Sequence, residues 1–104
     1  MKIRIKNNPK LGDFIELRLR DESADFWITR RASEENLGKP TKEYNPESFG
    51  VRVKEDAKSI LDSRYLYYLM EHLWTQGVWK AMRVGPVVPS IRKEDIMNIP
   101  IGVG

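Results

Sequence analysis

The chain has 104 residues, no cysteine and a single histidine, and its basic residues outnumber its acidic residues by three. That length predicts one domain, and the absence of cysteine excludes disulfides, thiol catalysis and cysteine-based zinc sites. Its apolar stretches are far shorter than a membrane span, and its first residues lack the apolar centre of a signal peptide. We therefore expect a cytoplasmic protein with no membrane partner.

The positive charge is concentrated in the first half of the chain. Residues 1–54 contain twelve basic and nine acidic residues, whereas residues 55–104 contain six of each. A positive face favours a polyanionic partner, because binding releases the counterions of the polyanion. An excess this small is also common in proteins without such a partner, so charge alone does not indicate the function.

Alternating apolar and polar residues predict three strands of this chain, and β-branched and aromatic residues predict a fourth, DFWITRR. The four predicted strands lie near residues 2–6, 14–20, 25–31 and 49–54. The first reads KIRIK and has two open interpretations: its basic residues either protect a sheet edge or contact phosphate. A helical interpretation of the second, through Leu11, Phe14 and Ile15, also stays open.

The segment from Ala32 to Ser48 is the longest predicted loop. It reads ASEENLGKPTKEYNPES, and such a long loop in a small domain is usually functional or mobile. Lys39, Lys42 and Tyr44 combine cations with an aromatic ring, as nucleic-acid contacts often do. A solvated loop without any ligand explains the same composition, and we keep both interpretations.

The main helix is predicted over residues 63–76, with Asp62 or Ser63 as its cap. Gly77 is expected to end it, and a second short helical turn follows. The spacing of the apolar residues is that of one buried stripe. The predicted stripe consists of Tyr65, Leu66, Leu69, Met70 and Leu73.

The rest of the chain predicts an extended segment, a short helix and a last strand. Ser90 or Arg92 begins the short helix, with acidic residues early, where the helix dipole favours them. Residues 98–101 form the last strand, which can join the sheet. The predicted fold is α+β, a small, mostly antiparallel sheet packed on one main amphipathic helix.

No catalytic motif accompanies this fold. The single histidine, His72, lies within the predicted helix, and the chain has no nucleophile elbow, phosphate loop or dinucleotide-binding glycine motif. We therefore expect no enzyme activity, no cofactor and no metal. The remaining possibility is that the protein binds a ligand through cations near turns. The candidates are Arg30, Arg31, Lys39, Lys42, Arg83, Arg92 and Lys93.

Residues 65–101 resemble the closing part of a target recognition domain from type I restriction-modification specificity subunits. The similar pieces are RYLYYLMEHLW, an aromatic-rich helix, and GPVVPSIRKEDIMNIPI, a glycine turn with an apolar-proline segment and a final I-P-I. The earlier pieces KLGDFIEL, DFWITRR, LGKPTKEYN and SFGVRVKED resemble the family more loosely.

The resemblance implies a non-enzymatic module that reads duplex DNA for a methyltransferase or nuclease partner. In that family, loops and strand ends contact the DNA. The corresponding residues here are Thr29, Arg30, Arg31, Lys39, Lys42 and Arg83.

One departure from the family keeps an alternative open. This chain ends just after Ile101, where the family continues into a long spacer helix. The alternative is a small phage-type adaptor or inhibitor that binds a nuclease or another protein complex. It predicts an exposed apolar patch that includes Trp74 or Trp79.

Overall fold

The computed structural model describes residues 9–33, 35–85 and 89–101. These residues form an α+β fold, as predicted. Its strands are β1 (Ile15–Arg18), β2 (Phe26–Ile28), β3 (Pro40–Thr41) and β4 (Phe49–Val53). Its helices are α1 (Ser63–Thr75), α2 (Val78–Ala81) and α3 (Lys93–Met97). The described residues include no helix that is long and apolar enough to cross a bilayer.

The four strands form one antiparallel sheet in the order β1-β4-β2-β3. Ile15 pairs with Val53, and Leu17 pairs with Val51, which on its other side pairs with Phe26. Directly paired residues point to the same face of a sheet, and all five of these are buried. The alternation that predicted β1 and β4 therefore also builds the core face of those strands.

Three of the predicted strands are confirmed, although each is shorter than expected. β1 ends at Arg18, because Arg20 turns the chain with a left-handed φ of 55°. The predicted loop contains one strand that was missed, β3, which pairs with the outer side of β2. Two residues that include a proline show no alternation, so the sequence carries no signal for β3. The predicted strand at 2–6 lies outside the described residues.

Helix α1 packs with a face that differs from the predicted stripe. Leu66 and Met70 are fully buried as expected, but Tyr65 is 58% exposed. Tyr67 replaces it, and its ring packs edge-on against Phe26 with the centroids 5.3 Å apart. The buried face is rotated because β3 and the loop before it pack on the side of the helix that carries Tyr67 and Trp74.

The ends of α1 agree with the sequence. The carboxylate of Asp62 accepts a hydrogen bond from the backbone N–H of Arg64 at 2.7 Å and caps the helix. Gly77 follows the helix with φ +75°, and α2 begins directly after it. Helix α3 begins after Arg92, which is one of the two predicted starts.

The last predicted strand, at residues 98–101, does not join the sheet. Pro100 forms an isolated antiparallel bridge with Lys10, and the N–H of Leu11 donates to the carbonyl of Ile99 at 2.8 Å. The partner is the segment before β1, which forms a 3-10 turn at Leu11–Asp13 instead of continuing the sheet. Residues 99–101 therefore pair with this segment and lie outside the sheet.

Candidate functional site

Lys39 and Lys42 lie over aromatic rings of α1. The ammonium nitrogen of Lys39 is 5.4 Å from the ring centre of Trp74, and that of Lys42 is 5.1 Å from the ring centre of Tyr67. Within the described part of the chain, neither lysine forms an ion pair with a carboxylate. An exposed cation–π contact contributes only about 0.5–1 kcal/mol, so both charges remain available to an anion.

The two rings are held in place by backbone carbonyls of the loop and of β3. The indole N–H of Trp74 donates to the carbonyl of Glu35 at 2.8 Å. The hydroxyl of Tyr67 donates a long hydrogen bond of 3.5 Å to the carbonyl of Pro40. These contacts connect the loop and β3 to α1 at two points. Along the chain, Lys39 lies between the two carbonyls, and Lys42 follows the second.

Thr29 fixes the backbone of Lys39. Its backbone N–H and its hydroxyl both donate to the carbonyl of Lys39, at 3.0 and 3.1 Å, and its own carbonyl accepts from the N–H of Gly38 at 2.8 Å. The Thr29 hydroxyl is therefore engaged within the protein. Within the predicted site, Thr29 therefore positions Lys39.

Gly38 lies against the ring of Trp79, which is fully buried in α2. Gly38 has φ +80°, and a Cβ built on it would lie 1.8 Å from the Cδ1 of Trp79. Only glycine permits this close approach of the loop backbone to the indole. The sequence shows the glycine but not the ring that requires it.

Arg30 has a different environment from the lysines. Its guanidinium donates to the carboxylate of Glu47 at 2.9 Å and to the carbonyl of the same residue at 3.0 Å. It also lies 6.0 Å from the ring centre of Phe49. Its charge is therefore offset by a carboxylate, and Arg30 serves to hold the loop on β4.

Arg31 and Arg83 lie in two segments that pair with the segment of Ser90 from its two sides. Arg31 and Val84 each form an antiparallel bridge with Ser90, so three segments lie side by side just beyond the end of β2. Arg83 precedes Val84 and donates to the carbonyl of Lys80 at 2.6 Å. Arg31, Arg83 and Lys80 are all exposed.

These cations form a band that we call the basic edge. Its first two lysines lie beside β3, and the rings of Tyr67 and Trp74 under them are separated by about 10 Å along α1, from the rise of 1.5 Å per residue. Lys80 lines a cavity of about 260 Å³ together with Trp74. Lys80 is the member that the sequence analysis missed. The basic edge consists of Lys42, Lys39, Lys80, Arg83 and Arg31.

Arg18 and Arg92 form ion pairs with carboxylates. Arg18, on β1 at the opposite edge of the sheet, pairs with Glu16 at 2.8 Å. The side chain of Asp95 raises the pKa of Arg92 above its usual value by accepting a hydrogen bond at 3.0 Å. Arg92 was a candidate contact, and this pairing offsets its charge. Lys39 and Lys42, in contrast, have no carboxylate partner among the described residues.

Metal ligands do not gather in the same way. In residues 9–33, 35–85 and 89–101, no group of three or more His, Asp or Glu side chains is placed to hold a metal ion. At the basic edge, Lys39 and Lys42 lie over aromatic rings, an arrangement that suits anionic ligands with flat aromatic groups.

A family model described as a family of unknown function (DUF6943) matches residues 18–100. The matched region contains every residue of the basic edge and the strands β2, β3 and β4. No curated protein and no solved structure matches the chain. The description of that family assigns no activity to its members.

Proposed function

The chain belongs to the DUF6943 family of unknown function, and we propose that its basic edge binds duplex DNA as a non-enzymatic recognition module. The observation that carries the proposal is the position of Lys39 and Lys42, which have no carboxylate partner among the described residues and lie over two rings of one helix. Arg31 and Arg83 extend the same band.

DNA fits this band for electrostatic reasons. Each lysine that reaches a phosphate releases condensed counterions, and this term supplies most of the affinity of non-specific binding. Except for Lys80 in α2, the cations lie at strand ends and on loops, where they can reach a groove without disturbing the core. An arginine such as Arg31 can also bind a guanine with two hydrogen bonds, which gives a route to sequence preference.

We further propose that the module acts with a methyltransferase or nuclease subunit in the cytoplasm. This part of the proposal is supported by the resemblance of residues 65–101 to target recognition domains of restriction-modification specificity subunits. The α+β fold with a single main helix is compatible with such a module.

Fluorescence anisotropy with a labelled duplex at low salt tests DNA binding. We expect micromolar binding, and an at least tenfold loss when Lys39 and Lys42 are both changed to Glu, because two phosphate contacts become repulsive. The matched control changes Arg18 and Arg20, at the β1 edge, to Glu and should keep affinity within about twofold. Absence of binding by the wild type, or an equal loss in both variants, would refute the proposal.

A second candidate, the adaptor or inhibitor, is favoured by one observation on the other side of α1. Tyr65 is exposed and borders an apolar groove of about 130 Å³ that also includes Leu69 and Ile99. The patch differs from the expected one, because Trp79 is fully buried and Trp74 is partly buried. Under this candidate, Tyr65→Asp abolishes co-purification of a protein partner and leaves DNA affinity unchanged.

A further inference from the structure

A second cavity lies beside the basic edge, where the N-terminal part of α1 faces β2 and the segment after β3. Its volume is about 300 Å³, which is at the lower limit for a small-ligand site. The lining includes Asp25, Lys42, Arg64, Tyr67 and Tyr68. With Phe26, which also lines it, the cavity combines three aromatic rings, two cations and one carboxylate.

The aromatic wall is built as a chain of edge-on contacts. Phe26 in the core packs against Tyr67 at 5.3 Å, and Tyr67 packs against Tyr68 at 5.8 Å with an interplanar angle of 86°. Tyr68 is nevertheless 63% exposed. A ring that is supported on one side and open on the other can stack on a flat ligand with little loss of conformational entropy.

The two cations favour an anionic ligand. Lys42 holds its ammonium over Tyr67 and belongs to the basic edge. The guanidinium of Arg64 is largely exposed and lies 3.7 Å from the carboxylate of Asp62. A pair of this length at the surface is weak, so the guanidinium can turn towards a phosphate.

The carboxylate offers a means of discrimination. One oxygen of Asp25 accepts a hydrogen bond from the backbone N–H of Val53 at 3.0 Å, which fixes the side chain. An ionised carboxylate has acceptor sites beyond that one bond. An amino group on a stacked ring can donate to it, whereas a carbonyl at the same place is repelled.

From this geometry we propose that the cavity between Tyr68, Lys42 and Asp25 binds one unpaired, amino-bearing nucleobase of a DNA strand that lies on the basic edge. The base stacks on Tyr68, the adjoining phosphate contacts Lys42 and Arg64, and Asp25 accepts from the amino group. This inference rests on the proposed function and adds the type of DNA structure that binds most tightly. Adenine, cytosine and guanine carry such an amino group, whereas thymine does not.

The site requires a base outside the helical stack, since a fully paired duplex exposes no base face. Extruding a paired base costs a few kcal/mol, and that cost is smallest where the base has no partner. A duplex with a single extrahelical nucleotide therefore offers an exposed base at the lowest free-energy cost.

The test compares the affinity of the intact protein for a duplex with one extrahelical cytosine and for the same duplex fully paired. We expect the bulged duplex to bind about tenfold tighter, from the stacking of one base on an aromatic ring. Tyr68→Ala should remove this preference and keep the affinity for paired DNA. The matched control Tyr65→Ala, on the same helix but outside this cavity, should keep the preference.

The outcomes separate the inference from the proposed function. Equal affinity for both duplexes, or loss of the preference in Tyr65→Ala as well, overturns the base site and leaves DNA binding standing. Binding of neither duplex overturns the proposed function and the base site with it. Asp25→Asn keeps an acceptor for Val53 and should shift the preference from an extrahelical cytosine towards thymine, and an unchanged preference would overturn the role of Asp25.

Discussion

At the scale of single residues, Asp21 is the buried carboxylate on which the turn between β1 and β2 depends. Its two oxygens accept from the guanidinium of Arg52 at 2.5 and 2.7 Å, and its carbonyl accepts from the indole of Trp27 at 2.8 Å. The hydrogen bonds from Arg52 lower the pKa of Asp21 from 3.8 to about 2. The ionised form of Asp21 is therefore part of the folded state.

We predict that Asp21→Asn lowers the free energy of unfolding near neutral pH by about 1–3 kcal/mol, because Arg52 loses its charged partner. A lowered pKa contributes stability above the ordinary value of 3.8, and this contribution is lost as the pH falls through about 2. The difference between wild type and variant should therefore shrink as the pH falls across that range.

Urea unfolding over a pH series measures this difference. The exposed Asp56 provides the control, and Asp56→Asn should change stability by no more than about 0.5 kcal/mol. A difference for Asp21→Asn that stays constant down to pH 2 would show that the ion pair is not the source of the stability.

Two glycines with positive φ allow strain and crowding to be separated. We predict that Gly38→Ala costs more than about 2 kcal/mol, because its Cβ collides with Trp79 in addition to the backbone strain. Gly77→Ala has the strain alone, since no atom lies within 4 Å of its Cβ, and should cost about 1 kcal/mol. Thermal unfolding measures both, and equal losses would contradict the close packing at Gly38.

At the scale of elements, α1 presents a buried face that the sequence predicted only in part. We predict that Leu66→Ala lowers the free energy of unfolding by about 2–5 kcal/mol, since Leu66 is fully buried. Tyr65→Ala should cost less than about 0.5 kcal/mol, since the ring is exposed. Comparable losses in the free energy of unfolding from the two substitutions, measured by chemical unfolding, would contradict this buried face and support the predicted stripe.

Local patterns were sufficient where the signal lies within a few residues. Alternation predicted β1 and β4, β-branched and aromatic residues predicted β2, the Asp62 side chain predicted the start of α1, and Gly77 predicted its end. These features depend on backbone conformation and on hydrogen bonds between near neighbours. The sequence can therefore predict them without knowledge of the tertiary structure.

Features that depend on distant partners were missed. β3 forms because it pairs with β2. Tyr67 instead of Tyr65 packs against the core because β3 contacts α1 at Tyr67. The same holds for the site. The sequence predicted Lys39 and Lys42 as contacts, but the rings of Tyr67 and Trp74 beneath them lie on another element.

At the scale of the whole molecule, a net charge of only +3 is distributed unevenly. On the β1 side, Arg18 is paired with Glu16, and Arg52 near the middle of the sheet is paired with Asp21. On the β3 side, Lys39 and Lys42 rest on aromatic rings, with no carboxylate partner among the described residues. Lys39 and Lys42 therefore add positive potential on the β3 side, whereas the charges of Arg18 and Arg52 are offset by their partners.

The salt dependence of duplex DNA affinity tests the central claim, that the basic edge contacts phosphates, most directly. The slope of log affinity against log salt should decrease in magnitude by about two when Lys39 and Lys42 both become Ala, since each phosphate contact contributes about 0.9. The same change at Arg18 and Arg20 should leave the slope unchanged. Equal slopes for the wild type and both variants would contradict the account.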